Sequence, residues 1–229
     1  MTDEPTPNLA VAQTPAAPPR RRRRTRSLSQ DLRNQATRMK LIEAAGRVIG
    51  KHGYAGCTIA RVTTRARIAH GTFYLHFRSQ QDLFDAVLPV LGAQMLAFVA
   101  DCVRDSADVV DLERRGFAAT FSYLFDHPHM ARVTEEAAYF APEAYRRHLD
   151  EMATGYARSL LRSRADRQLE DFSPAELPML AQLLIGARFQ MLWQFRREHE
   201  VGSAPPADIV EIYIRFISRG ILGGSGASA

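Results

Sequence analysis

A helical apolar pattern begins near residue 37 and is interrupted twice before residue 80, which predicts one ordinary helix followed by two short ones. One stripe at the spacing i, i+3, i+4, i+7 and i+8 contains Leu41, Ala44, Ala45, Val48 and Ile49. Gly53 follows this stripe and belongs to the residue type that commonly ends helices. No strand or hairpin pattern stands out after this segment, which favours an all-helical protein.

Two short helices separated by a tight turn are expected after Gly53. The first covers residues 58–66 and has Thr58, or Cys57 just before it, at its N-terminus, and a three-residue turn, 67–69, follows it. The second ends near Phe77 and carries Phe73 and Phe77 on its inner face, one helical turn apart. A helix, a turn and a further short helix form a helix-turn-helix, which places its second helix in the major groove of DNA.

The outer face of the second short helix is suited to the floor of a major groove. Gly71 lets the backbone approach the duplex, Leu75 can contact a thymine methyl, and Thr72 can bond to a base edge. Tyr74 can donate to phosphate oxygens or, alternatively, pack within the unit. The residues predicted to contact DNA are Thr58, Arg61, Arg67, His70, Gly71, Thr72, Tyr74, Leu75 and His76.

The segment TRMKLIEAAGRVIGKHGYAGCTIARVTTRARIAHGTFYLHFRSQQDLF, residues 37–84, resembles the DNA-binding domain of the TetR/AcrR family of transcriptional regulators. The pieces AA, HGY, TI, GTFYLHF and S..DLF occur in the order and spacing of that family. The resemblance implies an all-helical homodimer with three DNA-binding helices and a larger body for ligand binding and dimerisation. The chain departs from the pattern at Val62-Thr63, at Arg67 in place of a common glycine, and at Gln80 in place of a common lysine.

Positive charge is concentrated towards the N-terminus. Residues 1–80 contain 15 Lys or Arg against 4 Asp or Glu, whereas the remainder contains 15 against 21. A net charge of +11 beside a net charge of −6 is expected to attract a polyanion to one end only. Residues 1–35 are rich in Pro and Ala and then in Arg, which predicts a disordered basic arm. Its arginines can follow phosphates, enter a minor groove, or form a nonspecific tail.

Capping patterns extend the helical prediction along the chain. Ser79 and Asp82 start a helix over about 80–104, and Ser173, Pro174 and Glu176 start another over about 174–199. Further helices are expected over about 109–126, 128–138, 142–165 and 206–220. The predicted fold is all-α, with a disordered basic arm over 1–35, a helix-turn-helix DNA-binding domain over 36–80, a larger helical ligand-binding and dimerisation domain over 81–222, and a flexible tail over 223–229.

The predicted body is rich in aromatic residues at helical spacing. Most such residues form the core of a helical bundle. The resemblance implies that some line a pocket for a small, largely apolar effector. The pocket candidates are Met95, Phe98, Phe121, Tyr139, Tyr156, Phe189 and Trp193. The last two helices contain LPMLAQLLIGARFQMLWQF and IVEIYIRFI, which are apolar around most of their circumference and predict a homodimer formed through both helices.

The sequence offers little support for other classes of site. No nucleophile–base pair, phosphate loop or metal signature occurs, so no catalytic residue, cofactor or metal is predicted. His127 and His129 flank an expected turn, where exposed histidines are ordinary. Cys57 and Cys102 lack CxxC spacing, and neither a signal peptide nor about 18 consecutive apolar residues is found, which predicts a cytoplasmic protein without a membrane partner.

The predicted function is a ligand-responsive transcriptional regulator, a repressor that binds a palindromic operator of double-stranded DNA as a dimer and is released by a small-molecule effector. Two alternatives stay open. An Arg-rich nonspecific nucleic-acid-binding protein would bind through its arm. A helical enzyme would use residues of the body such as His127, Glu135, Glu136 or Tyr139, although paired glutamates in a helix are expected on a solvated face.

Overall fold

The computed structural model describes residues 21–164, 169, 171–198 and 207–221, with side chains for 30–162, 169, 171–195 and 208–220. These residues form helices joined by turns, and no strand occurs among them, which confirms the predicted all-α class. The helices are α1 (Arg21–His52), α2 (Ile59–Ala66), α3 (His70–Phe73), α4 (Gln80–Val103), α5 (Val109–Asp126), α6 (His129–Phe140), α7 (Pro142–Arg164), α8 (Leu177–Glu198) and α9 (Ala207–Phe216), and a π-helical turn (Ile217–Ile221) follows α9.

Residues 21–37 are the described part of the first of two units, and they are helical. Side chains 30–36 are exposed, and the helix is supported by a hydrogen bond of 3.3 Å from Gln30 Nε2 to Asn34 Oδ1. The disordered arm predicted over 1–35 therefore differs from the structure over 21–35. Good helix formers, with no Gly or Pro over 20–45, account for the difference. Residues 1–20 and the predicted tail 223–229 lie outside the described residues.

Arg38–Ala229 form the second unit, which begins with the remainder of α1. The apolar stripe predicted between residues 41 and 49 is buried, and Gly53 ends α1 with φ at 73°. Of the two predicted candidates, Thr58 is the N-cap of α2, and Val62 is buried in the same helix. The expected order of one ordinary and two short helices is confirmed.

Two predicted helix boundaries are corrected by the structure. α3 ends at Phe73 rather than near Phe77, because the N–H groups of Leu75 and His76 donate three residues back instead of four, which tightens the last turn. α8 begins at Leu177 rather than near residue 174, because Pro178 has no N–H to continue the helical ladder from Pro174.

α4 is the central helix of the body and packs against α5, α6 and α7, while α8 packs on α7 and α9 packs on α5. It is also the described helix that is long and apolar enough to cross a membrane by composition. One face of α4 is nevertheless buried by its neighbours, through Leu83, Phe84, Val87, Leu88, Leu91 and Met95. A buried core helix of a globular protein meets the same compositional criterion.

Candidate nucleic-acid interface and effector cavities

The turn between α2 and α3 begins at a left-handed residue. Arg67 has φ at 55° and ψ at 46°, and its N–H donates to the carbonyl oxygen of Thr64 at 3.2 Å. The next N–H, of Ile68, donates to the carbonyl oxygen of Thr63 at 3.0 Å. Glycine adopts this conformation without steric cost, whereas arginine does not. Arg67 thus keeps a strained turn closed, and its side chain is exposed.

Thr58 and Arg61 organise the start of α2. The Thr58 hydroxyl accepts a hydrogen bond from the Arg61 N–H at 3.3 Å and is exposed. The guanidinium of Arg61 turns back, and its Nη1 donates to the carbonyl oxygen of Gly56 at 2.6 Å. Sequence reasoning missed this bond, which ties Arg61 to the connection between α1 and α2.

Two buried aromatic rings anchor α3 and the turn after it. The ring centroids of Phe73 and Phe77 lie 5.6 Å apart, and both side chains are buried. The guanidinium carbon of Arg38, on α1, lies 4.7 Å from the centroid of the Phe77 ring. The predicted inward face of this element is therefore confirmed.

The opposite surface of α3 and the turn after it is open. Leu75 is 80% exposed and Tyr74 55% exposed, and a Cβ added at Gly71 would meet no atom within 4 Å. The ring centroids of His70 and Tyr74 lie 5.8 Å apart in an edge-to-face arrangement, so the imidazole packs against one side of the phenol and helps to orient it. The predicted outward position of these residues is confirmed, while His76 and Thr72 are half-buried at the margin.

α6 contacts the C-terminal end of α1 through a charged clamp formed by Arg132 and Glu136. The Glu136 carboxylate accepts hydrogen bonds from the Tyr54 N–H at 2.8 Å and from Arg132 Nε at 2.6 Å. The Tyr54 side chain is fully buried and stacks on the Phe140 ring at 5.5 Å. Of the pair Glu135-Glu136, Glu135 is exposed as expected, whereas Glu136 is half-buried because its carboxylate satisfies the backbone N–H that the turn after α1 presents to it.

His129, at the start of α6, lies against α1 where two glycines make room. A Cβ added at Gly50 would lie 2.4 Å from His129 Cβ, so no larger residue fits there. Burial, with Arg47 nearby, lowers the pKa of His129 to about 4.

The described residues contain no group of three or more His, Cys, Asp or Glu placed to hold a metal.

Two adjoining cavities lie in the helical body. The first, called the apolar cavity, has a volume of about 400 Å³ and is lined from α4, α5, α7 and α8 by residues that include Leu96, Val99, Val103 and Leu112. The second, called the acidic cavity, has a volume of about 570 Å³ and is lined in part by Glu135 and Asp150. Both share a wall formed by Met95, Ile185, Phe189 and Leu192.

Four of the seven predicted pocket residues line these cavities. Met95 and Phe189 belong to the shared wall, Tyr156 lines the apolar cavity, and Trp193 lines the acidic cavity. The structure corrects the other three predictions. Phe121 is packed in the core against Phe117 at 4.7 Å, and Phe98 lies half-exposed against Tyr123.

Tyr139 is the third correction, since its side chain is 86% exposed. The buried residues of α6 include Met130, Val133 and Ala137, which share one face. Tyr139 follows Ala137 by two positions and so points to the opposite side of the helix. Helical spacing placed an aromatic residue in α6, but it did not indicate which side of this helix is covered by the rest of the body.

The apolar cavity ends at a buried charged network that sequence reasoning missed. Glu113, on α5, is fully buried and accepts hydrogen bonds at 2.6 Å from both Arg188 Nη2 and Tyr213 OH. The Tyr156 hydroxyl donates to the other carboxylate oxygen. Burial raises the pKa of both Tyr213 and Tyr156 above the ordinary value of a phenol, so both hydroxyl groups stay protonated and act as donors. Glu113 and Arg188 are 75 residues apart, and no local pattern connects them.

The chain is similar to known regulators of transcription. Residues 41–87 match the tetR family of bacterial regulatory proteins. The fatty acid metabolism regulator protein of Bacillus subtilis is 24% identical over 118 residues, a match that covers 52% of this chain and 61% of that protein.

Solved structures share the fold over about four fifths of the chain. The transcriptional regulator FadR from Bacillus subtilis, solved in complex with stearoyl-CoA, superimposes with a TM-score of 0.67 at 17% identity, covering 80% of this chain and 98% of that one. A TetR-family regulator from Pectobacterium atrosepticum gives a TM-score of 0.63 at 19% identity, covering 84% and 97%. Residues 41–87 therefore match the DNA-binding domain of the tetR family of bacterial regulatory proteins, and the described helical body shares its fold with solved regulators of that family.

Proposed function

We propose that this protein is a repressor that binds a palindromic operator as a homodimer and leaves it when a small effector enters the body. The observation that carries the proposal is the outer face of α3 and its following turn, where Gly71, Tyr74 and Leu75 are exposed above two buried phenylalanines. Such a face enters a major groove with a bare backbone and few side chains. Thr58 and Arg67 flank it as phosphate contacts.

Exposed apolar side chains on α8 and α9 support the homodimer. Met179 and Leu183, one turn apart on α8, are each more than half exposed, as are Ile212 and Phe216 on α9. Isolated apolar side chains are normal on a surface, but two pairs at helical spacing form stripes. Paired across a twofold axis, the two helices of each protomer would bury these stripes and present two recognition surfaces to one operator.

α6 is the element through which an effector would act on DNA binding. On one side, Ala131, Thr134 and Glu135 line the acidic cavity. From the same helix, Arg132 and Glu136 clamp the end of α1. A ligand that favours a displaced α6 would therefore move the DNA-binding helices and lower operator affinity.

A fatty acyl derivative is the effector class that we propose. The apolar cavity offers a hydrocarbon-lined space, and one protein that shares this fold was solved in complex with stearoyl-CoA. Stearoyl-CoA is therefore the first compound to test for release of DNA. Retention of the operator at saturating stearoyl-CoA and at saturating acyl esters would contradict this effector class.

Binding to DNA is tested by footprinting the protein on DNA that flanks its own gene, and then by titrating the protected fragment at several salt concentrations. We expect sequence-selective protection and a steep loss of affinity with salt. The variant Tyr74→Ala should weaken operator binding by about tenfold or more. Tyr139→Ala is a matched control, because it removes another exposed tyrosine away from α3. Equal affinity for both variants would refute the assigned surface.

The nonspecific alternative is tested by replacing Arg20–Arg24 with glutamine. A repressor that reads its operator through α3 should keep its preference for operator over random DNA, with lower affinity for both. If the variant loses all binding and the parent shows no preference, the protein is a nonspecific binder. Turnover of an acyl ester by the purified protein would instead support the enzyme alternative.

A further inference from the structure

The polar wall of the apolar cavity is built from groups that bind one another. Glu113 accepts hydrogen bonds from Arg188 and from the hydroxyls of Tyr156 and Tyr213. Arg188 in turn donates from Nη2 to Tyr156 OH at 2.8 Å and from Nε to Tyr213 OH at 3.1 Å. The wall is therefore electrically neutral, with one buried cation beside one buried anion.

One donor group in this wall has no partner among the described residues, namely Nη1 of Arg188. It lies next to Gly116, where an added Cβ would be 3.1 Å from Nη1 and 3.2 Å from Nη2. Gly116 and Arg188 both line the apolar cavity, so the missing side chain leaves Nη1 accessible from the cavity. The nearby Thr120 hydroxyl donates to the Gly116 carbonyl oxygen at 2.8 Å.

We propose that Arg188 Nη1 binds the carbonyl oxygen of an acyl ester or thioester whose hydrocarbon chain lies along the apolar cavity. This inference rests on the proposed function, in which the body binds an effector, and names the atom that recognises it. The hydrocarbon would contact the walls formed by Leu96, Val99, Val103 and Leu112.

A neutral acceptor fits this wall better than a hydrocarbon or a carboxylate. A pure hydrocarbon would displace water from Nη1 and leave a charged donor without a partner. A carboxylate would satisfy Nη1, but Glu113 already balances the charge of Arg188, so a second anion would be buried without compensation. An ester carbonyl supplies the hydrogen bond and adds no charge.

The test compares three ligands with chains of matched length, namely methyl laurate, laurate and dodecane. Binding is followed by the fluorescence of Trp193, the only tryptophan, which lines the adjoining acidic cavity. For the parent protein we expect methyl laurate to bind about tenfold or more tightly than either other ligand.

The variant Gly116→Ala places a methyl group against the Nη1 and Nη2 end of the guanidinium, which covers Nη1, and should reduce the preference for ester over hydrocarbon to about twofold or less. Gly155→Ala is the matched control, because Gly155 lines the same cavity and its added Cβ would meet no atom within 4 Å. It should keep the preference. Arg188→Lys, which keeps the charge beside Glu113 but lacks Nη1, should lose it as Gly116→Ala does.

Three results would overturn the proposal: methyl laurate binding no more tightly than dodecane, laurate binding more tightly than the ester, or Gly116→Ala keeping the preference. Laurate held at the exposed Arg158, which also lines the cavity, would give the second result and would not respond to Gly116→Ala. Operator binding by the same preparation separates the two proposals. A protein that binds its operator but shows no preference for the ester is still a regulator.

Discussion

Replacing Glu113 with glutamine removes the counter-ion of a buried arginine while keeping the shape of the side chain. The Glu113 side chain is 0% exposed and that of Arg188 is 13% exposed, and Nη2 lies 2.6 Å from the carboxylate. Removing one partner of such a pair leaves a buried charge without compensation, which costs about 3–5 kcal/mol. We therefore expect Glu113→Gln to lower the free energy of unfolding by that amount.

Urea unfolding at one fixed protein concentration measures this change, because the stability of the proposed dimer would depend on concentration. The matched control is Glu143→Gln, which breaks an exposed ion pair with Arg146 and should cost about 0.5 kcal/mol or less. The double variant Glu113→Gln/Arg188→Met removes both charges and should recover at least about 1 kcal/mol relative to Glu113→Gln. A cost below about 1 kcal/mol for Glu113→Gln would refute the account of the network.

Two further predictions concern the DNA-binding helices and their contact with α6. Arg67→Gly should raise the free energy of unfolding by up to about 1 kcal/mol, since glycine tolerates the left-handed turn, and should weaken binding to all DNA sequences equally; a destabilised variant in urea unfolding would contradict this. His129 has a folded-state pKa of about 4 against an ordinary value of 6.5, so the unfolded chain binds the proton first and stability should fall as pH decreases between these values. His129→Gln should flatten this decline in thermal unfolding, His70→Gln should not, and an unchanged slope in the first variant would show that the burial of His129 does not control it.

Local patterns in the sequence predicted the helices and the exposed face of α3 and the turn after it. Ser79, Asp82 and Gly53 act within one helical turn, so they set boundaries that the structure confirms. Phe73 and Phe77 identify the inner face because residues four apart lie on the same side of a helix. Gly71, Tyr74 and Leu75 then face outward by the same geometry.

The tertiary structure decided which parts of the body form a site. Tyr139 and Tyr156 occupy similar helical contexts in the sequence, yet Tyr139 is on the surface and Tyr156 lines a cavity. The difference arises because the packing of neighbouring helices determines which side of each helix is covered. The pairing of Glu113 with Arg188 joins α5 to α8, and the clamp of Glu136 joins α6 to the end of α1. Periodicity and caps act over a few residues, whereas these contacts exist only after helices distant in sequence have packed together.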